Sequence, residues 1–381
     1  MKARVSGIRT IAALSIVLCA ACSRPEADGD GDAQQEEAAL ESARCDAAID
    51  PRNDPNAIHA DSSSTFFEGW YYRVLDPTNR ESYIVIVAYG RAAGATNAFI
   101  QVSRSSDRKT WTTSIPGFDV NALQRKAGTF DAAVGGVRFT ANSIKGSFVA
   151  SNGERVDLDL AISGCRYWGA PSDPGSRVTM GFAVQAPGVN TRWDVHHLRS
   201  LADGTIVTNG ARKTFTKAYV HQEKNWGNGF PSHWIWMQAN QFNGKDAAFV
   251  ASGGPIFGFG NSPEGYMAGL RYEGKFYDFK TQTGATFTTA SYQNGHWQLE
   301  AFDALGQHRL VVDGFGSLDA AAAVPILVPS ASGPTFGAAE NLNGRLLITL
   351  YQRSGITSWS PIVNLESSSA ALEAGGSLRN K

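Results

Sequence analysis

The feature that most constrains the fold is a long succession of short runs rich in β-branched and aromatic residues, separated by glycine, asparagine, aspartate and serine. Such runs are typical of β-strands, and their regular spacing favours a sandwich or barrel. The 40 glycines and 20 phenylalanines fit many turns and apolar sheet faces. Only two short windows show helical periodicity, Val120–Gln124 and Asp319–Ala323. The sequence therefore predicts an all-β protein with few short helices.

The pattern continues for roughly 310 residues, which exceeds one small barrel. We therefore expect two antiparallel β-barrel halves, at residues 58–190 and 191–366, joined near Pro187 to Asp203, with a flexible tail at 367–381. The first half opens with Glu68-Gly69-Trp70, which resembles the glycine and tryptophan at the start of lipocalin-type barrels. The expected architecture is two lipocalin-like halves.

The first 21 residues are predicted to be an export signal of the lipoprotein type. Lys2, Arg4 and Arg9 precede an apolar run that is too short to span a bilayer, which needs ~20 apolar residues. The run ends in Ala20-Ala21-Cys22, which resembles a bacterial lipoprotein box and implies lipidation of Cys22. Ser23 then fits release to an outer membrane. We expect a cell-envelope protein that faces the periplasm and contacts the membrane through an N-terminal lipid anchor.

Residues 22–57 are predicted to form a flexible acidic tether. Alternating Asp and Gly from Asp28 to Asp32 are followed by three glutamates before residue 42, and no aromatic residue is present to build a core. Cleavage of the signal removes three basic residues and changes the formal charge from -1 to -4. Neither value suggests a nucleic-acid partner.

Cys45 and Cys165 remain once Cys22 is lipidated. In an oxidising exported compartment, a disulfide between them is one interpretation, which would pin the tether to the folded body. Two unpaired thiols are the alternative.

Several function classes lack their usual motifs. The sequence contains no G-x-S-x-G elbow, P-loop or G-x-G-x-x-G, so hydrolase, nucleotide-binding and dinucleotide functions have no motif support. Seven histidines are present, but no H-E-x-x-H or comparable spacing is. His196 and His197 are adjacent, and adjacent residues on a strand point to opposite faces. We expect neither a metal site nor a cofactor.

What remains is a pair of carboxylates beside aromatic residues. Glu68 precedes Gly69-Trp70-Tyr71-Tyr72, and Glu223 precedes Lys224-Asn225-Trp226. A carboxyl group in an apolar pocket favours its neutral form and becomes a proton donor, while indole faces stabilise a cation within ~6 Å. The alternative is structural: Glu68 pairs with Arg73, and Lys224 neutralises Glu223. Asp194 and His196 share one strand face, as an acid and base pair or as an ordinary hydrogen-bonded pair.

Three motifs resemble the tocopherol cyclase family, in the family's order: Phe66-Phe67-Glu68-Gly69-Trp70-Tyr71-Tyr72, Glu223-Lys224-Asn225-Trp226-Gly227 and Gly274-Lys275-Phe276-Tyr277-Asp278-Phe279. The resemblance implies cyclisation of a prenylated hydroquinone, in which an acid protonates the alkene and the phenol oxygen captures the cation. It also implies a relation to calycin barrels.

By this resemblance Glu223 or Glu68 would be the acid, Lys224 would hold the acid in register or assist phenol deprotonation, and Asn225 would bind the phenol. The pocket would be lined by Trp70, Trp226, Trp234 and Trp236, with Tyr72, Asp194 and His196 as further substrate-binding candidates. One rival hypothesis is a lipocalin-like carrier that binds an isoprenoid, quinone or other lipid without chemistry. Another is a purely structural envelope protein, which would have no pocket.

Overall fold

The computed structural model describes residues 45, 58–59, 65–124, 130–169, 174–330 and 333–380. The predicted export signal, Cys22 and all of the tether except Cys45 lie outside these residues. The described chain is built almost entirely from antiparallel strands, with a few 3-10 helices of three to five residues. The all-β prediction is therefore confirmed.

The first half is one curled ten-stranded sheet. Its strands follow the order β4-β3-β2-β1-β10-β9-β8-β7-β6-β5. The bounds are β1 Thr65–Leu75, β2 Ser82–Ala92, β3 Ala95–Arg104, β4 Thr110–Pro116, β5 Asp131–Val134, β6 Val137–Thr140, β7 Ser143–Val149, β8 Arg155–Arg166, β9 Thr191–Thr208 and β10 Ala211–Gly227. The two edges approach each other where Gly135 packs on Ile100 and Ile115.

The second half is another curled ten-stranded sheet. Its main path is β14-β13-β12-β11-β20-β19-β17-β16-β15, and β18 adds to β19. The bounds are β11 His233–Ala239, β12 Ala247–Pro255, β13 Glu264–Tyr272, β14 Lys275–Lys280, β15 Thr286–Gln293, β16 His296–Phe302, β17 His308–Phe315, β18 Val324–Val328, β19 Thr335–Arg353 and β20 Trp359–Gly376.

Two tight hairpin turns carry glycines in the left-handed region. Gly274 and Gly295 have φ of 76° and 77° at the ends of the β13–β14 and β15–β16 connections. Because a side chain disfavours that backbone conformation, glycine allows these strands to reverse within two residues.

The chain passes from the first sheet to the second between Gly227 and His233. The expected join near Pro187 to Asp203 instead falls at the start of β9, inside the first sheet. The reason is non-local pairing: β10 returns to pair with β1, so that β9 and β10 complete the first sheet. Residues 367–376, expected in a flexible tail, belong to β20 in the centre of the second sheet.

Of the two short helices expected from the sequence, one forms as a shorter 3-10 helix and the other as a turn. Val120–Ala122 forms a 3-10 helix, capped by the Asp119 side chain. Asp319–Ala323 forms a turn in which the N–H groups of Ala322 and Ala323 donate to the Asp319 carbonyl. Within the described residues, no helix is both long and apolar enough to cross a membrane.

Buried apolar side chains form three clusters. One fills the interior of the first sheet, around Trp70 and Phe139. Another fills the interior of the second sheet, around Phe249 and Trp297. The third joins the two sheets and includes Tyr71, Trp193 and Trp236. This third cluster positions the candidate site.

A disulfide joins Cys45 to Cys165. The two Cα atoms lie 5.3 Å apart, although 120 residues separate the cysteines in sequence. The Cys45 backbone is held further by Asn142, whose side chain accepts from its N–H at 2.7 Å and donates to its carbonyl at 3.0 Å. Cys45 is therefore fixed to the first sheet, in the paired arrangement that was one of the two alternatives for these cysteines.

Candidate active site between the two sheets

The central strand β10 sends its functional side chains to two different places. Successive side chains on a strand alternate between faces. Glu223, opposite Tyr71 on β1, faces the junction between the sheets, as does Asn225. Lys224, opposite Trp70, faces the interior of the first sheet. Glu223 and Lys224 are neighbours in sequence, but they do not form an ion pair with each other.

The Lys224 ammonium instead lies 2.5 Å from the Glu68 carboxylate, and both side chains are fully buried. It also lies 5.3 Å from the centre of the Trp70 ring and 5.0 Å from that of Trp226. His59, stacked on Trp226 with ring centres 4.9 Å apart, places Nδ1 2.9 Å from Glu68 Oε1. The predicted pairing of Glu68 with Arg73 is replaced by this ion pair.

Burial alone would raise the pKa of Glu68, but the Lys224 ammonium and the His59 side chain lower it to about 2. Glu68 is therefore ionised at neutral pH. A group in that state cannot donate a proton, so the hypothesis that Glu68 is the acid does not fit its surroundings.

Three further predicted residues lie on the same interior face. Asp194 is opposite Lys224, and its Oδ1 accepts from the Thr179 N–H at 2.9 Å. His196 Nε2 lies 3.8 Å from Asp194 Oδ2. The Gln222 amide lies 3.1 Å from His196 Nδ1 and donates to the Tyr72 hydroxyl at 3.2 Å. Asp194 and His196 are thus close, as their spacing predicts, within a buried polar network that includes Tyr72.

A cavity of about 240 Å³ lies at the junction of the two sheets. Aromatic and aliphatic side chains from both sheets supply most of its wall, and among them are Phe67, Tyr71, Trp193, Phe230, Trp234 and Trp236. Glu223, Asn225 and Glu373 are the polar residues whose positions matter most for chemistry. An apolar cavity with a few convergent polar groups is the usual form of a small-molecule site.

Within the cavity, the Glu223 carboxylate has two hydrogen-bond partners from different strands. Trp236 Nε1–H donates to Glu223 Oε2 at 2.9 Å, and His221 Nε2 lies 3.0 Å from the same oxygen. Trp236 is therefore positioned by a hydrogen bond, not by packing alone. The predicted cavity residues Glu223, Asn225, Trp234 and Trp236 are brought together here, and Trp70 borders the cavity as well as the first core.

Two carboxyl groups that the sequence analysis missed complete the site. Glu373 on β20 lines the cavity, and its Oε1 accepts from Trp234 Nε1–H at 2.5 Å. Glu340 on β19 is fully buried and accepts from the Tyr71 hydroxyl at 2.6 Å. Glu340 and Glu373 are direct cross-strand partners, and Glu373 is in turn the partner of Trp236 on β11.

Both of these carboxyl groups favour the neutral form. Burial raises the pKa of Glu340 to about 7, against the lowering effects of the Tyr71 hydroxyl and the Arg73 guanidinium. Burial and the Glu340 charge raise the pKa of Glu373 well above its usual value. Part of the Glu373 surface remains uncovered, but that surface faces the cavity. Glu373 therefore presents to the cavity a carboxyl group whose surroundings favour the protonated form.

Arg73 fixes the geometry behind this wall. It lies on β1, and its guanidinium donates to Gln238 Oε1 at 2.8 Å and to the carbonyls of Leu342 and Ser369 at 3.1 and 2.5 Å. All three partners belong to the second sheet. One buried cation therefore joins the sheet that carries Glu223 to the sheet that carries Glu340 and Glu373.

The expectation of one shared pocket is thus corrected to two clusters on opposite faces of β1 and β10. The interior of the first sheet contains six of the predicted site residues: Glu68, Lys224, Trp226, Tyr72, Asp194 and His196. Lys224 therefore cannot hold Glu223 in register. The signal that could have found Glu373 was a single carboxyl residue within the apolar run Ala370-Ala371-Leu372-Glu373-Ala374.

Two plant enzymes share parts of this sequence. The chain is 37% identical over 126 residues to a probable chloroplastic tocopherol cyclase of Oryza sativa subsp. japonica, covering 32% of this chain and 26% of the relative. It is 29% identical over 204 residues to the chloroplastic tocopherol cyclase of Zea mays, covering 52% and 42%. The chain therefore matches less than half the length of these relatives.

Solved structures with a similar chain path include kievitone hydratase from Nectria haematococca, at 15% identity and a TM-score of 0.49, covering 90% of this chain and 99% of that one. A putative AttH from Nitrosomonas europaea has 14% identity and a TM-score of 0.44, covering 86% and 97%.

The family comparison covers most of the chain. The tocopherol cyclase-like family matches residues 64–376, a range that includes both sheets, all three sequence motifs and the carboxyl groups of the cavity. The chain belongs to the tocopherol cyclase-like family.

Proposed function

We propose that this protein is an acid-catalysed cyclase that acts on a prenylated hydroquinone in the cavity between the two sheets. The observation that carries the proposal is the position of the Glu373 carboxyl group, which faces an apolar cavity, accepts from Trp234 and lies opposite Trp236, in surroundings that raise its pKa. Alkene protonation needs a carboxylic acid that keeps its proton at neutral pH and an apolar wall that tolerates a developing cation.

The proposed reaction uses one proton donor and one proton acceptor from this chain. Glu373 transfers its proton to the double bond next to the hydroquinone ring, and a tertiary cation forms. The phenol oxygen bonds to the cationic carbon and releases its proton to the Glu223 carboxylate. Glu223 has the acceptor geometry for this role, because its Oε2 already accepts from Trp236. The Glu223 charge and the indole faces would also stabilise the cation. Asn225 would bind the phenol.

The size of the cavity supports partial enclosure of the substrate. Its 240 Å³ lies below the roughly 300–1,000 Å³ of drug-sized ligand pockets. The ring and the reacting double bond would therefore be enclosed, while the rest of a prenyl chain extends outward. The proposed setting is the cell envelope, with anchorage through Cys22.

The test is conversion of a prenylated hydroquinone to a chromanol by the wild type and by Glu373→Gln. Loss of the general acid should lower turnover by about 10²- to 10⁴-fold, with substrate binding retained. Glu366→Gln is the matched control, because Glu366 lies on the same strand but on the surface, paired with Arg345. Turnover by Glu373→Gln at the wild-type rate would refute the assignment of the acid.

The second candidate is a carrier that binds an isoprenoid or quinone without chemistry, and the apolar wall of the cavity favours it. A carrier would bind the hydroquinone and return it unchanged, in the wild type and in Glu373→Gln alike. Co-purified lipid together with the absence of any product from the wild type would support this alternative.

A further inference from the structure

Three uncharged segments meet beside the cavity. Residues 178–191, 227–232 and 253–263 contain no Asp, Glu, Lys or Arg, although 18% of the whole chain is charged. We name these three segments the uncharged rim. Each segment contributes to the cavity wall, through Met180 and Val189, through Phe230, and through Ile256.

The rim is a built surface, because its segments are hydrogen-bonded to one another. The Asn190 N–H donates to the Ile256 carbonyl at 3.0 Å, and the Asn228 N–H donates to the Asn190 carbonyl at 2.9 Å. The Asn190 side-chain amide donates to the Gly229 carbonyl at 2.8 Å. One asparagine therefore holds the three segments together.

Behind the rim, Arg192 fixes the conformation of the first segment. Its guanidinium donates to the carbonyls of Val184, Val189 and Ala186 at 2.6, 3.2 and 3.2 Å. The Arg192 guanidinium thus points inward and contacts backbone oxygens. The adjoining surface carries exposed apolar side chains instead of charge.

Two phenylalanines of this rim are largely exposed to solvent. Phe182 is 72% exposed and lies beside Ala183 of the cavity wall, and Phe259 is 63% exposed and stacks on Phe257 with ring centres 5.3 Å apart. Exposed aromatic side chains around the edge of an apolar cavity mark an interaction site. Phe182 lies in the 3-10 helix Gly181–Gln185 and Phe259 lies in the loop between β12 and β13, so the two side chains provide two points of insertion.

We propose that the uncharged rim docks on a lipid bilayer, inserting Phe182 and Phe259 so that the cavity opens toward the acyl region. This inference rests on the proposed function, because a cavity that encloses only the reacting end of a prenyl lipid must receive it from a lipid phase. An uncharged rim loses little hydration on contact with the interface, whereas a charged one would lose more. The proposed anchor at Cys22 is compatible with this contact, because the 23-residue step from Cys22 to Cys45 can span up to about 83 Å when extended.

The test is flotation of the chain from residue 22 onward carrying Cys22→Ser, so that neither the apolar export signal nor an acyl group contributes, with vesicles of phosphatidylcholine alone or mixed with phosphatidylglycerol. We expect binding to both, because the rim is uncharged. Phe182→Ser with Phe259→Ser should lower the bound fraction at least about tenfold, since each phenyl group removed from water contributes about that factor. Leu305→Ser with Ile356→Ser is the matched control, because these residues are 82% and 92% exposed on other loops.

Three results would overturn the proposal: no flotation of the parent chain, equal losses in the rim and control variants, or a dimer in solution that the rim substitutions dissociate without any vesicle binding. The dimer would assign the rim to a second copy of the chain.

Failure of the docking proposal is distinguishable from failure of the proposed function. With a water-soluble, short-chain prenyl hydroquinone, the rim variant should turn over at the parent rate, whereas Glu373→Gln should not. With the substrate embedded in vesicles, Glu373→Gln should still float, and the rim variant should lose turnover. A carrier would show vesicle binding that depends on the rim but no product with either substrate.

Discussion

Glu340 and Glu373 lie directly opposite each other on β19 and β20, so two carboxyl side chains share one buried patch next to the cavity. Two carboxylates in such a place repel each other, and burial penalises each charge, so at least one of them retains its proton. The arrangement provides a candidate proton donor, and it makes the proposed activity and the stability of the protein depend on pH in predictable directions.

We predict that turnover falls at alkaline pH. The acid Glu373 must be protonated, so its raised pKa sets the upper limit of the active range, and the charge that Glu340 gains above its own pKa of about 7 moves that limit upward. The measurement is a pH profile of single-turnover cyclisation. The Glu340→Gln side chain carries no charge at any pH, so this variant should change the pH at which turnover falls. Glu366→Gln should leave that pH unchanged. A wild-type rate that rises steadily from pH 6 to 9 would contradict the prediction.

Stability should also fall as the pH rises from about 4.5 to 7. The folded-state pKa of Glu340 is raised from 4.5 to about 7, so the folded state holds the proton more tightly than the unfolded state does over this range. The stability contribution is complete below the unfolded-state pKa and is lost as the pH rises through the folded-state value, by roughly 3 kcal/mol. Urea unfolding at several pH values measures this loss, which Glu340→Gln should remove.

The buried ion pair between Lys224 and Glu68 should behave as one unit. Lys224→Met leaves the Glu68 carboxylate buried with less compensation and should destabilise the protein by about 3–5 kcal/mol. The double variant with Glu68→Gln should recover much of that loss. Because the pKa of Glu68 is lowered to about 2, the wild-type contribution should persist above pH 4.5 and disappear as the pH falls toward 2. Additive losses in the double-mutant cycle would argue against coupling.

Gly375→Ala should disturb the cavity without touching its carboxyl groups. A Cβ atom at Gly375 would lie 2.0 Å from Trp234 Cε2, so the indole that donates to Glu373 would have to move. We expect reduced turnover and altered tryptophan fluorescence. Gly260→Ala is the control, because no other side chain or backbone atom lies within 4 Å of the position that its new methyl group would occupy. Wild-type turnover in Gly375→Ala would show that the Trp234 position is unimportant.

Replacing both Cys45 and Cys165 with serine should destabilise the protein by about 4–5 kcal/mol. The disulfide closes a loop of 120 residues, and the entropy of the unfolded chain rises when that closure is lost. Comparison of oxidised wild type, reduced wild type and the double variant in denaturant measures the effect. The reduced wild type should be as stable as the double variant. A double variant as stable as the oxidised wild type would contradict the prediction.

The sequence predicts the features that depend on patterns of neighbouring residues. Strand content, hairpin glycines and the tryptophans near Glu223 follow from runs of neighbouring residues. The join between the sheets could not be found this way, because the pairing of β10 with β1 brings together residues about 150 positions apart, such as Tyr71 and Glu223. Glu340 and Glu373 were missed for the same reason, since each is a single carboxyl residue in an ordinary strand and only the pairing of β19 with β20 makes them neighbours.

The alternation of β10 between two sites restricts how this strand can change in evolution. Glu223 and Asn225 face the cavity, while Lys224 and Trp226 face the first core. One inserted or deleted residue upstream within the strand would exchange the two sets, placing the lysine in the cavity and the carboxylate on the interior face that carries Glu68. Homologous chains should therefore vary here by substitution, and length changes should be confined to the loops at either end of the strand.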